Sequence, residues 1–478
     1  MITLPKHFVD GVRAAKIPAD LFPYLQNAVE LEHATIPPYL AAYYSLDASN
    51  AEIANLIRSV VIEEMLHMTI AANILVALGG SPAINQEGFV PEYPGPLPMG
   101  VGGKHFRVGI EPFSKELVKK IFMRIEEPEH PVDVAPPGRK VPALPDYRTI
   151  GEFYTAIQEK IATLDKADFG HADRQVVGVF GPDLNFPILG PEDANRGIEI
   201  IKRQGEGSKG DPFEDIPGVP GSHEPAHYYR FGEIVHGHKL IKTKSGYAYQ
   251  GDPIPFDPAG VLPMQGNPTP DQFPPNTFGR LLSDNFTEGY NTLLNNLHEA
   301  FNGNPEKMQA GIGLMYQLRL TALRLMKTEL PGFPGKTAGP VFAKPNPAFI
   351  AAITELKAFA RQWNELYAAE KFEEMKLLAD ENVGIANASA STNPTGLIYG
   401  RDNYYEGIVQ AYRGSSGTEK NLLVMDYENW EYIPLGDGNR FYTIGRYTLQ
   451  GSPEGVNCWL LHRASASAPW QIVRVINN

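Results

Sequence analysis

Cysteine is nearly missing from this chain: Cys458 is the only one in 478 residues. That excludes an intrachain disulfide framework and a thiolate metal cluster. Positive charge is short as well. Lys and Arg number 42 against 55 Asp and Glu, for a formal net charge of −13, and so acidic a chain offers no basic surface to nucleic acid or to an anionic membrane. A long apolar run free of charge is also lacking. The most apolar stretch, 53–78, carries Glu63, Glu64 and His67 at its centre, so no membrane span is expected. The N-terminus, "MITLPKHFVDGVRAAKIPADLF", has no long apolar core of the signal-peptide kind. Together these absences lead to the expectation of a cytoplasmic protein without nucleic-acid or membrane partners. What is present, 43% hydrophobic and 20% charged residues, describes an ordinary folded chain, long enough for two or more domains.

Hydrophobic periodicity predicts long helices over 20–46 and 51–78, joined by the turn "DASNAE" and stopped by Gly79-Gly80. Pro- and Gly-rich sequence fills 81–146, with a strand-like piece, "KHFRVGIEP", and a short helix, "SKELVKKIFMRIE". A third helix is predicted at 148–164, mostly loop over 167–221, a fourth helix at 222–237, then another Pro-rich loop and two long helices near 276–302 and 305–329. "PGFPGKTAGPVFAKPNP" reads as a linker. Beyond it the pattern changes to a helix over 347–379, a short helix "GRDNYYEGIVQAYR" and alternating strands ending in "WQIVRVIN". The expectation is an all-α domain over 1–335 and an α+β domain over 346–478.

Two of the helices bury charge on paper. Steps of three and four along the second give Ile53, Ile57, Val60, Glu64, His67, Ala71, Ile74 and Leu78, the core stripe of a bundle helix interrupted by a carboxylate and an imidazole. The first gives Leu25, Ala28, Glu32, Thr35, Tyr39, Ala42 and Leu46. A buried unpaired carboxylate costs several kcal/mol or is neutralised, and a shared divalent cation resolves both positions. The fourth helix repeats the Glu-x-x-His spacing as Glu224 and His227, with Glu233 and His236 as a competing pair one turn on, and the third offers Glu152. Glu63 is an alternative to Glu64, since four-residue spacing also reaches His67. His33 suits the core or a supporting role. Glu32, Glu64, His67, Glu152, Glu224 and His227 make the ligand set of carboxylate-bridged dimetal bundles, whose oxygen and imidazole donors suit two divalent ions, iron or manganese. Tyr39 and Glu63 are candidates for acid–base help beside the ions. Pro37 and Pro38 deprive the first helix of bonds to the carbonyls of His33 and Ala34, so a kink is expected close to Glu32.

The segments "LQNAVELEHATIPPYLAAYYSL", "VIEEMLHMTIAANILVALGG", "FMRIEEPEHP", "TIGEFYTAIQEKI" and "EPAHYYRFGEIVHG" resemble the ferritin-like domain of iminophenylpyruvate dimer synthases, which couple oxidised aromatic amino acids in bisindole pathways. The resemblance covers about residues 15–335. It implies an oxidative metalloenzyme of secondary metabolism, handling dioxygen or peroxide and a small aromatic or amino-acid-derived substrate. It also likens Tyr39 to the tyrosine near the metal site of ferritins. Residues 346–478 resemble the nuclear transport factor 2-like (SnoaL-like) cone, which implies either dimerisation, here a homodimer, or a non-redox isomerase or cyclase pocket lined by Asp380, Tyr404, Tyr405, Trp430, Tyr442, Trp459 and His462. A metal-binding protein without turnover is the remaining alternative.

Overall fold

A computed structural model describes residues 3–129, 131–132, 134–135, 147–207, 210–244, 246–274, 277–343, 347–387, 397–414, 416–435 and 439–477. The chain divides into two compact units, one of Met1–Gln272 with Phe286–Lys344 and one of Phe273–Asn285 with Pro345–Asn478. Of the expected linker, residues 344–346 lie outside the described residues, as do 136–146 of the Pro- and Gly-rich stretch.

The first unit is helical. After α1 (Lys6–Ala14), α2 (Phe22–Tyr44) and α3 (Ala51–Ala77) form its central pair. Two turns of backbone hydrogen bonds stop α3: Gly79 N–H reaches the Val76 carbonyl and Gly80 N–H that of Leu75, with Gly79 at φ 90°, a conformation that suits glycine. The prolines do not interrupt α2, which runs unbroken through Pro37 and Pro38. Tyr93 supplies part of the reason: its hydroxyl donates at 2.8 Å to the Ala34 carbonyl that Pro38 leaves without an N–H. Helix α4 covers Lys115–Leu117, Val118–Phe122 and Met123–Ile125 without a gap, its middle five residues in the wider π form, a bulge frequent beside functional sites. Then come α5 (Ile150–Ile161), α6 (Pro191–Glu206) and α7 (His227–His236). Helix α3 packs on α2, α6 and α7, and α4 packs on α7. Helix α6 falls inside sequence expected to be loop. Its signals are Pro191 at the first position and the apolar row Ala194, Ile198 and Ile201. The predicted strand "KHFRVGIEP" is reduced to one bridge between Gly95 and Val108, and the loop after α7 instead contains a hairpin, His238–Thr243 with Gly246–Pro253. Helices α8 (Phe278–Phe301), of which the part from Phe286 on belongs to this unit, and α9 (Lys307–Leu325) complete the predicted set.

The second unit carries α10 (Pro347–Ala368), α11 (Phe372–Lys376) and α12 (Arg401–Arg413) with a seven-stranded sheet. In chain order its strands are β1 (Ala379–Asn387), β2 (Leu397–Tyr399), β3 (Leu423–Met425), β4 (Glu431–Pro434), β5 (Arg440–Leu449), β6 (Ser452–His462) and β7 (Gln471–Asn477). The spatial order is β2-β1-β7-β6-β5-β3, with β4 also on β5, and among the described residues only β1 with β7 is parallel. Trp363, Trp430 and Trp459 pack edge to face or tilted in its core, at ring separations of 4.9–5.7 Å. Tyr404 is buried among them, its hydroxyl 2.9 Å from the Trp363 indole N–H. The aromatics offered as a pocket lining, Tyr404, Trp430 and Trp459, are therefore core residues. Asp380, Tyr405, Tyr442 and His462 are each partly exposed.

Candidate metal centre

Four elements of the first unit bring carboxylates and imidazoles to one place. Helix α2 contributes Glu32, α3 contributes Glu64 and His67 one turn apart, the end of α4 contributes Glu126, and the first residue of α7 is His227. Glu32, Glu64, His67 and His227 are buried and the Glu126 side chain is only 9% exposed. Glu32, Glu64 and His67 place ligand-type atoms within 4.8 Å of one another, and Glu64, Glu126 and His227 do the same. Glu64 belongs to both groups: its Oε1 is 2.9 Å from His227 Nδ1 and 3.5 Å from His67 Nδ1. His67 Nδ1 is also 3.5 Å from Glu32 Oε2, and His227 Nδ1 is 3.3 Å from Glu126 Oε2. The two rings lie nearly parallel with centroids 5.4 Å apart.

The other ring nitrogens face outward and are occupied. His67 Nε2 lies 2.9 Å from Gln204 Oε1, and His227 Nε2 lies 3.0 Å from Glu63 Oε2. With Nε2 engaged on the outer side of each ring, Nδ1 is the nitrogen turned toward the carboxylates in both. The carboxylates are held in turn. Tyr39 donates at 2.5 Å to Glu126, Thr35 at 2.7 Å to Glu64, and the Tyr154 hydroxyl to Glu32. A cavity of about 60 Å³ opens here, its walls made by Leu31, Ile125, Ile150 and Ile201 beside the charged groups.

Burial first, and then the charge of Glu64, raises the Glu32 carboxyl to about 7. Burial and Glu64 also raise Glu126. For His67 burial acts downward, yet the hydrogen bonds to Glu32 and Glu64 outweigh it and lift the ring to about 10; His227 is lifted well above its ordinary value by Glu126, Glu63 and Glu64 in the same way. For Glu64 burial acts upward, and the two imidazoles overcome it, holding the carboxyl far below its usual range. Protons thus gather on nitrogen to balance three carboxylates in a dry interior. A divalent ion would replace those protons on the same atoms, and oxygen with imidazole donors suits iron or manganese. The donor set fits.

Two residues expected here are elsewhere. Glu152 sits in the first turn of α5, where its carboxylate accepts from Thr149 N–H at 3.0 Å while Thr149 Oγ1 accepts from Glu152 N–H. The Thr-x-x-Glu spacing before an apolar run is the sequence signature of that capping box. Glu224 is exposed and precedes α7, which starts at His227 because Pro225 and Ala226 are outside the helix. The competing pair is committed too: Glu233 accepts from Leu240 N–H and Lys239, and His236 stacks on Tyr249 at 4.4 Å. His33 is buried, with Tyr290 2.8 Å from its Nε2, and burial lowers it to about 3. Glu126, Tyr154 and Gln204 were not singled out from sequence. Glu126 had a signal: it follows Val118 and Phe122 at steps of four, the same interrupted stripe that marks Glu32 and Glu64. Gln204 likewise follows Gly197 and Ile201 on α6.

No curated protein matches the chain. Among solved structures, a ferritin-like protein from Caulobacter vibrioides is 22% identical, with a TM-score of 0.45, over 68% of this chain and 97% of that one. The yeast UBP3-associated protein BRE5 is 13% identical, with a TM-score of 0.20, over 26% of this chain and 92% of that one. A ketosteroid isomerase candidate from Kribbella flavida DSM 17836 is 21% identical, with a TM-score of 0.18, over 26% of this chain and 76% of that one. The family model described as Ferritin-like matches residues 25–236. That span contains most of α2, all of α3 to α7 and the five clustered side chains, and the chain carries a ferritin-like domain there.

Proposed function

We propose that the ferritin-like domain holds two redox-active divalent ions, iron or manganese, and that the protein is an oxidoreductase using dioxygen or peroxide. The observation that carries this reading is the pair of buried triads sharing Glu64 beside a cavity. Glu32, Glu64 and His67 would hold one ion and Glu64, Glu126 and His227 the other. Bound there, the ions supply electron transfer and open coordination positions. The chain's own residues orient the centre: Tyr39 fixes Glu126, Tyr154 fixes Glu32, and Leu31, Ile125 and Ile201 set an apolar wall beside them. Tyr39 is the group placed to hold a proton, at its phenol oxygen toward Glu126, whereas Glu63, paired with Arg230, stays ionised and serves only to orient His227.

The reaction is read as oxidation of a small aromatic or amino-acid-derived substrate, of the kind carried out by iminophenylpyruvate dimer synthases. The small cavity and its Leu and Ile walls favour a diatomic oxidant inside and an apolar substrate at the opening. The second unit is read as a nuclear transport factor 2-like module that pairs two copies in a cytoplasmic homodimer; its packed tryptophan core argues against catalysis there. The helix over Ala48–Ala77 is apolar and long enough to cross a membrane, but 83% of its most apolar 18-residue window is buried inside the protein.

Metal analysis of protein purified without chelator tests the reading. About two iron or manganese ions per chain, with oxidant consumption once substrate-like aromatic acids are supplied, would support it. A chain that takes up no metal would overturn it.

A further inference from the structure

We infer that the two ion positions are unequal, and that Glu63, fixed by Arg230, makes the Glu64–Glu126–His227 position the tighter one. This rests on the dimetal reading and adds to it a difference between the two imidazoles. Behind His67 stands a neutral amide, Gln204 Oε1, at 2.9 Å. Behind His227 stands a carboxylate, Glu63 Oε2, at 3.0 Å. A carboxylate draws the Nε2 proton of an imidazole more strongly than an amide does, and so raises the electron density its Nδ1 offers to a metal.

Glu63 is held for that task. Arg230 Nη1 donates to Glu63 Oε1 at 2.8 Å and Nη2 to Oε2 at 3.2 Å, the two-pronged geometry that keeps a carboxylate ionised and in plane. Arg230 is itself 2% exposed and anchored on every side: Nη1 to Ser59 Oγ at 2.9 Å, Nη2 to Glu214 at 2.5 Å and Nε to the Pro225 carbonyl at 3.1 Å. The sequence arrangement is reciprocal. Glu63 is the neighbour of the shared ligand Glu64 on α3, and Arg230 lies one turn after His227 on α7. The residue beside the ligand of one helix therefore supports the ligand of the other. No such brace backs His67 among the described residues. Glu63 and Arg230 are positioning residues here.

Cobalt(II) titrated into the metal-free full-length protein, followed by calorimetry and by its visible absorption, tests this. Two ions should bind in two resolved steps. Glu63→Gln should weaken the first step by about 10–100-fold and change its absorption spectrum, with the second step unmoved. Gln204→Leu should weaken the second step alone. Gln204→Glu, which leaves the Arg230 network untouched, should strengthen the second step toward the first, so the test survives if Glu63→Gln misfolds. Two equal steps in the wild type, or Glu63→Gln and Gln204→Leu weakening the same step, would overturn the inequality while leaving two bound ions in place. Failure to bind any cobalt would overturn the dimetal reading itself and this inference with it.

Discussion

The helical region and the sheet-containing region solve the problem of an interior in opposite ways. The first buries Glu32, Glu64, His67, Glu214, His227, Arg230 and Glu233. The second buries Trp363, Tyr367, Tyr404, Trp430, Phe441 and Trp459, and among its described residues the only buried charged one is Arg463, which reaches Glu355 at 2.5 Å. Burying apolar rings stabilises a fold directly. Burying charge costs free energy unless partners repay it, and a pair is rarely better than an apolar substitute of equal size. A core of rings needs no ligand to account for it, whereas a core of three carboxylates and two imidazoles does.

The comparison is broken most severely by removing the shared ligand. Glu64→Ala should abolish binding at both positions, a loss of well over 100-fold in affinity, because each triad uses that carboxylate. Glu224→Ala should leave metal content unchanged, since that side chain is exposed and outside the helix. Elemental analysis after dialysis against a weak chelator distinguishes them. Retention of one ion by Glu64→Ala would mean that the triads do not share it.

The converse change is made in the other core. Trp459 is 1% exposed and meets Trp363, Trp430 and Phe359. Trp459→Ala should cost about 3–5 kcal/mol of the second unit's stability, measured by denaturant unfolding, with metal content as in the wild type. Loss of metal in that variant would show that the two interiors are not separate in their roles.

Much of this contrast was legible in the sequence. Glu32, Glu64 and His67 stood on apolar stripes, and a charged residue at helical spacing within a buried row has few explanations. His227 was found through its Glu-x-x-His spacing, although the glutamate of that motif turns out to be exposed. The miss is instructive: a spacing argument holds only within a helix, and Pro225 puts Glu224 before the first turn. Glu152 was lost to a competing local rule, because a glutamate three residues after a threonine caps its own helix more cheaply than it reaches across a bundle. Glu126 lies at the end of α4, whose stripe of Val118 and Phe122 is too short to stand out in Pro- and Gly-rich surroundings. Helix α6 was hidden by its flanking glycines and prolines, and with it Gln204. In the second unit, alternation identified the strands but could not separate pocket rings from core rings, since both alternate alike.

pH sharpens the contrast further in protein stripped of metal. His67 is raised from its ordinary 6.5 to about 10, so its protonated form stabilises the fold fully below pH 6.5, and that contribution is lost as pH rises toward 10. Glu32, raised to about 7, acts in the same direction: its contribution is complete below its ordinary value of 4.5 and fades as pH rises through 7. Metal-free protein should therefore lose a few kcal/mol of stability between about pH 4.5 and pH 10, Glu32 acting in the lower part and His67 in the upper. Metal-loaded protein, with the protons displaced, should show a much flatter profile. Thermal unfolding across that range, with and without chelator, measures the difference. In His67→Gln the upper part of the slope should shrink, with His227 carrying what is left, and an unchanged slope would assign it to His227 and other groups.

The smallest expected effect comes from the carboxylate that stayed out of the centre. Glu152 and Thr149 satisfy one another's backbone N–H groups at 3.0 Å each way, closing the first turn of α5. An unsatisfied N–H at a helix start costs about 1 kcal/mol. Glu152→Ala should lower stability by that amount and leave metal content untouched. Thr149→Ala should cost a similar amount. The double variant should cost less than the sum of the two, because once one side of a reciprocal pair is gone the other has lost part of its purpose. Metal binding is the decisive readout. A drop in ion content in Glu152→Ala, with Thr149→Ala normal, would return Glu152 to the ligand set; equal and modest destabilisation with full metal content would fix it as a cap. Each result bears on the helical interior alone, because α5 contributes the buried Tyr154 that holds Glu32. If fraying of the first turn let Tyr154 shift, the loss would appear as a small fall in affinity in both single variants alike, which separates a change in positioning from the loss of a ligand.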